Sequence, residues 1–289
     1  METNLVTQYK KIKQHYRVPH LINDNKQVIF VLESPHIDEL IHQSPVSGLS
    51  GKSMTKILFP YQEDNKALGI KLKAEPENRI GIINICGIPM QKAAYINKEV
   101  IDLYNPRKKD VASDFFFNSI EDIRENPQPD YNNEEINELQ SAILNDFKKE
   151  MKNLKDRTLL LIPCGKTATT FFNMSGVSSS NWTILCNTPH PSFNQWSRRN
   201  NYDHIFNMRL QINEIYWENR TINGVAMKPY EVFHALINEQ NINLNQLALT
   251  LEEDYNYLVN VSEGNSVIST ELADKLNKHF AISNDFWLT

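Results

Sequence analysis

The stretch Val28-Ile29-Phe30-Val31-Leu32-Glu33-Ser34-Pro35-His36 decides the fold. Its five leading residues are all apolar and mostly β-branched or aromatic, without the polar alternation of a half-exposed strand. That is the pattern of a strand covered on both faces in a parallel sheet. The run stops at an acid and a proline, so the Glu33 carboxylate is expected at the strand's C-terminal end, where such sheets hold their ligands. Working outward, Ile80 to Ile85, Leu159 to Ile162 and Trp182 to Cys186 read as further strands. Residues 4–17 read as a leading helix, and Asn133 to Leu154 as a long one with Ile136, Leu139, Ile143, Leu144 and Phe147 at helical spacing. Strands alternating with helices predict an α/β chain, a three-layer α/β/α sandwich on a mostly parallel sheet. The segment from about 104 to 132, with Asn105-Pro106, Pro127-Gln128-Pro129 and mixed charge, reads as an inserted or mobile excursion outside the core.

The chain has 289 residues and 40% hydrophobic content, enough for one large domain or two of ordinary size. No apolar run approaches the ~18 residues of a membrane span, and the N-terminus opens Met1-Glu2-Thr3-Asn4. A soluble, cytoplasmic protein without a membrane partner is expected. Cys86, Cys164 and Cys186 are odd in number and lie in or beside apolar runs, so they read as buried free thiols.

After about residue 222 the texture becomes wholly helical, which divides the chain into 1–221 and 222–289. The tail holds three lysines against nine acids, a balance of −6 within a total of −5, so the larger part is close to neutral. Nucleic-acid contact there must come from local clusters, of which Lys52, Lys56, Lys166, Arg198 and Arg199 lie beside motifs.

Four elements occur in order. Glu33, Pro35, Glu39, Pro45, Gly48, Ser50 and Gly51 come first, then Asn84 at the end of an apolar run, then the Gly165 to Ala168 turn, then His190-Pro191-Ser192. Together, over residues 28 to 195, they resemble the uracil-DNA glycosylase superfamily, particularly its bacterial and archaeal branch. The resemblance implies a uracil-DNA glycosylase-like fold and a monofunctional DNA glycosylase, which flips a base from DNA and hydrolyses its bond to deoxyribose. Such enzymes act in DNA repair, and some members in antiviral defence.

Cleaving an N-glycosidic bond needs one group that handles water and an oxocarbenium-like centre, and another that supports charge on the departing base. The resemblance assigns the first role to Glu33 and the second to His190. The competing readings are a carboxylate that caps the following turn and a turn histidine bonded to backbone. Asn84 can offer donor and acceptor to a flipped base edge, or form a turn. Gly48, Ser50, Gly51 and Ser53, with Lys52, suit a helix N-terminus facing a phosphate. Phe193, after Ser192, is read as a wedge into the base stack or as a buried anchor.

His36 and Val46 replace a smaller or differently shaped residue and a stacking phenylalanine in the resembling branch. A wider pocket and a modified or bulky base follow. Cys86 falls where that branch places one iron–sulfur ligand, but the other positions have no cysteine, so no cofactor is expected. Gly51-Lys52-Ser53 and Gly165-Lys166-Thr167 imitate a phosphate-binding loop, yet the required preceding glycine is Val46 in one and Leu160 in the other.

The tail resembles the helix-turn-helix antitoxins of the HigA type, with the recognition helix at about Glu253 to Glu263. Acidic Glu252, Glu253, Asp254 and Glu263 stand where phosphate contacts are usual, which leaves a dimerisation or protein-contact module and residual DNA binding both open. The alternatives to a glycosylase are a DNA-binding or sensing module without catalysis, and a helix-turn-helix regulator.

Overall fold

The computed structural model describes residues 4–61, 65–104 and 112–289. They divide into two compact units, one of Met1–Met54 and Lys66–Trp196, the other of Thr55–Asn65 and Ser197–Thr289.

The first unit is α/β. Its strands are β1 (Val28–Leu32), β2 (Ile80–Asn84), β3 (Leu159–Pro163) and β4 (Trp182–Ile184), all parallel in the order β2-β1-β3-β4. Every residue of β1, β2 and β3 is buried, as apolar runs without alternation require. Ile29, Val31, Ile83, Leu159 and Leu161 point to a core built with α1 (Leu5–Tyr16), α7 (Asp114–Glu125), α8 (Glu134–Asn153) and α9 (Gly165–Ser175). Phe30, on the other face, packs on Trp196 with ring centroids 5.7 Å apart. Shorter helices α2 (Ile37–His42), α3 (Leu49–Leu58), α4 (Leu68–Ala74), α5 (Lys92–Ile96) and α6 (Lys98–Tyr104) fill the connections.

Two expectations need correction. The 104–132 segment is no excursion: α7 is capped by Ser113, whose side chain accepts from the Phe116 N–H, and buries Phe116, Phe117, Ile120 and Ile123 in the core. The prolines and mixed charge outweighed that helical spacing in the sequence; residues 105–111 lie outside the described set. Cys86 and Cys164 are buried free thiols, but Cys186 is exposed, because β4 stops at Ile184 and its last residues are not covered.

In the second unit α10 (Tyr202–Asn213) leads through a π-helical turn to a hairpin, Thr221–Ile222 and Val225–Ala226, closed by Asn223 and Gly224 at positive φ. Helices α11 (Pro229–Glu239), α12 (Leu244–Leu251), α13 (Tyr255–Ser262), α14 (Thr270–Phe280) and α15 (Asn284–Trp287) follow. Trp217 belongs to their core, so the compact helical body starts upstream of the compositional change at 222.

Candidate active site

The strand order itself creates a cleft. From β1 the chain moves outward to β2, and from β3 outward to β4 in the opposite direction, so the neighbouring ends of β1 and β3 form a topological switch point. A cavity of about 590 Å³ opens there, within the range of small-ligand sites. Of the residues singled out in the sequence, Glu33, His36, Val46, Gly48, Ser50, Asn84, His190, Ser192 and Phe193 line it.

Glu33 is held by backbone pairing that continues past β1. Its carbonyl accepts from the Cys86 N–H at 3.1 Å, and the Val31 carbonyl accepts from the Cys164 N–H at 2.9 Å. Burial pushes the Glu33 carboxyl above the usual range, while the Arg124 guanidinium and the Thr167 side chain pull it back. Arg124 Nη1 lies 3.6 Å from Glu33 Oε1, and each side chain is 20% exposed. Sequence reasoning missed Arg124, which also lines the cavity from the last turn of α7.

His190 accepts at Nδ1 from the Ser192 N–H, 3.2 Å away, with the Ser192 hydroxyl at 2.9 Å. An Nδ1 that accepts from backbone leaves the proton on Nε2. Burial lowers the imidazole to about 4, so at neutral pH it is an uncharged donor. Gly165 makes room for it: a Cβ at that residue would stand 2.9 Å from His190 Cβ, and its φ of +85° is unfavourable for other residues.

Asn84 closes β2, is only 4% exposed, and its side-chain amide makes no hydrogen bond among the described residues. Its donor and acceptor are therefore uncommitted. The loop opposite is braced by Glu39, whose carboxylate accepts from the His36 N–H at 3.0 Å and also from the Val46 N–H. Val46 is buried at φ +54°, a region costly for a β-branched residue. Gly51 in α3 comes so close to the Val46 carbonyl that a Cβ would lie 1.8 Å from its oxygen.

At the rim, Phe193 is 84% exposed and Leu49 81% exposed, so Phe193 is not a buried anchor. Phe193 and Asn194 both have positive φ, which turns this tip outward. Gly51, Lys52, Ser53 and Lys166 belong to the flanking helices and are not in the cavity wall. Arg198 and Arg199 are exposed in the second unit. Asp38, Leu49 and Gln91 also line the wall and carried no motif signal. Among the described residues no group of three or more His, Cys, Asp or Glu side chains is arranged to hold a metal ion. The Cys86 thiol is fully buried and pushed up to about 12.

In the second unit, α13 occupies Tyr255–Ser262, inside the expected recognition-helix bounds, with Asp254 as its N-cap. Glu253 is engaged by Lys275 at 2.8 Å.

No protein family, curated protein or solved structure matches the chain significantly.

Proposed function

We propose that the chain is a monofunctional DNA glycosylase of the uracil-DNA glycosylase superfamily, acting on a base turned out of DNA and leaving an abasic site. The observation that carries this reading is the shared cavity of Glu33, Asn84 and His190 at the switch point, with the histidine neutral and the carboxylate paired to a cation. In the reaction a water oxygen bonds to C1′ of deoxyribose while the C1′–N bond breaks and its electron pair leaves with the base. Glu33 accepts the water proton and faces the positive charge developing on the sugar. His190 Nε2–H donates to the carbonyl oxygen on which negative charge grows, in the neutral tautomer whose Nδ1 accepts from the Ser192 N–H. Asn84 reads the base edge. The exposed Phe193 tip suits insertion into the stack left behind. The cavity volume and the small Val46 side chain favour a base larger than uracil, such as one with a bulky 5-substituent, as in modified phage DNA.

Incubating the protein with plain and modified DNAs and identifying released bases by mass spectrometry tests this directly. Glu33→Ala and His190→Ala should each lower release by roughly 10²-fold while leaving DNA binding intact. No release from any DNA, with binding kept, would replace the enzyme by a binding module.

A further inference from the structure

Arg124 stands out as a guanidinium on the wall of the cavity, one-fifth exposed at the last turn of a helix whose other side is apolar. It follows Ile123, which is fully buried, and its own Nε is buried without a hydrogen-bond partner. A donor buried without a partner is costly. Stability alone does not account for it.

Its neighbours do. One arm of the fork faces Glu33 and another pairs with Glu125, so the guanidinium is stretched between a carboxylate in the cavity and one outside it. Its carbonyl accepts from the Thr167 hydroxyl at 2.9 Å, and the Thr167 side chain also interacts with the Glu33 carboxylate. The start of α9 thus braces the end of α7 from which Arg124 reaches Glu33. We infer that Arg124 is a positioning residue: it orients the Glu33 carboxylate toward the cavity and keeps it charged for the attack of water. The inference rests on the glycosylase reading of the site.

The groups that bear on Glu33 are few and can be weighed. Arg124 and Thr167 favour the ionised form, and Glu125 opposes it. His36, Asp38, Glu39 and His190 share the cavity wall. Arg124 is the cation in this set, and loss of an opposite charge at such a distance shifts a carboxyl by about 1 pH unit or more.

The test compares the full-length protein with Arg124→Gln, Arg124→Lys and Thr167→Val. One arm measures single-turnover base release from pH 4 to 9 on a DNA the unaltered protein processes. The other follows the Glu33 carboxyl directly by carbon NMR of glutamate-labelled protein, with Glu33→Gln for assignment. Arg124→Gln should move the acid limb of release and the Glu33 midpoint upward together by about 1 pH unit. Arg124→Lys should return most of that shift but not the full rate, since a lysine lacks the planar fork. Thr167→Val should move both in the same direction by less, and carries the test if Arg124→Gln fails to fold. A midpoint and acid limb unmoved in folded variants would overturn the inference. If the unaltered protein releases no base, the glycosylase reading fails and the NMR arm alone decides whether Arg124 controls Glu33.

Discussion

Replacing Gly165 by alanine should disturb the site through His190, and the size of the effect can be worked from two contacts. At φ +85° an alanine pays the left-handed penalty of about 1–2 kcal/mol. Its new Cβ would also lie 2.9 Å from His190 Cβ, 3.4 Å from Cδ2 and 3.5 Å from Cγ. Carbon atoms rest at about 3.5–4.0 Å, so the histidine must retreat by roughly 0.5–1 Å. Displacements near 1 Å at a reacting group cost on the order of 10²-fold, which puts the expected loss of base release at about 10-fold or more. Gly176 supplies the control. It has φ +60° with nothing within 4 Å of an added Cβ, so alanine there carries the backbone penalty without touching the site. Gly176→Ala should lose about 1–2 kcal/mol in denaturant titrations and Gly165→Ala at least as much, and only Gly165→Ala should lose base release in single-turnover assays. Unchanged release by Gly165→Ala, or an equal loss in Gly176→Ala, would refute the claim that this glycine exists to seat His190.

Acid sensitivity follows from His20 and His190, both lowered by burial to about 4. The unfolded chain binds these protons near pH 6.5 and the folded one does not, so their stabilisation is complete above 6.5 and lost as pH falls toward 4, by up to about 1.4 kcal/mol per pH unit each. The raised Glu33 and Glu39 act in the opposite sense, being relieved as pH falls. Urea midpoints at pH 7 and 5 should therefore differ less for His20→Gln and His190→Gln than for the unaltered chain; equal differences would remove these histidines from the account. Val46→Phe should shift preference toward plain uracil by filling the wall of the cavity, as read from excision rates on matched oligonucleotides; an unchanged ratio would separate Val46 from base choice. A tail fragment beginning at 222 should melt well below one beginning at 197, because it lacks Trp217, a buried residue whose truncation costs roughly 3–5 kcal/mol. Neither fragment should show the steep salt dependence of multiple phosphate contacts in duplex-DNA anisotropy titrations, given the neutral and acidic composition around α13; tight binding that falls steeply with salt would reverse the view of the tail.

What the sequence made legible were local patterns. Buried strands announce themselves because each must be apolar along its whole length, and Glu33, Asn84 and His190 follow such runs or their loops. Helix α8 was readable from its spacing, and the structure adds its Asn133 cap, which accepts from the Glu135 and Ile136 N–H groups. Helix α7 was equally amphipathic, but flanking prolines and charges carried more weight than Phe116, Phe117, Ile120 and Ile123. Missing that helix meant missing Arg124, whose role depends on a partner far away in the chain. A lone arginine after an isoleucine has no signature until the fold brings Glu33 beside it.

The Gly165-Lys166-Thr167 string shows how a weak motif can carry a meaning its pattern does not state. It imitates a phosphate-binding loop, yet its glycine and threonine are explained by their neighbours in this fold. The Gly165 N–H donates to the Thr188 carbonyl at 2.8 Å, tying the start of α9 to the loop that leads to His190. Its missing side chain leaves space for the imidazole, and Thr167 fastens the end of α7 where Arg124 meets Glu33. Lys166, between them, is exposed and faces neither. The string therefore touches the surroundings of both Glu33 and His190, while the Val31–Cys164 bond holds β3 to β1. Substitutions at Gly165 and Thr167 should consequently damage different partners, the first through His190 and the second through Glu33. A phosphate-binding loop would lose both with a single loss of phosphate affinity.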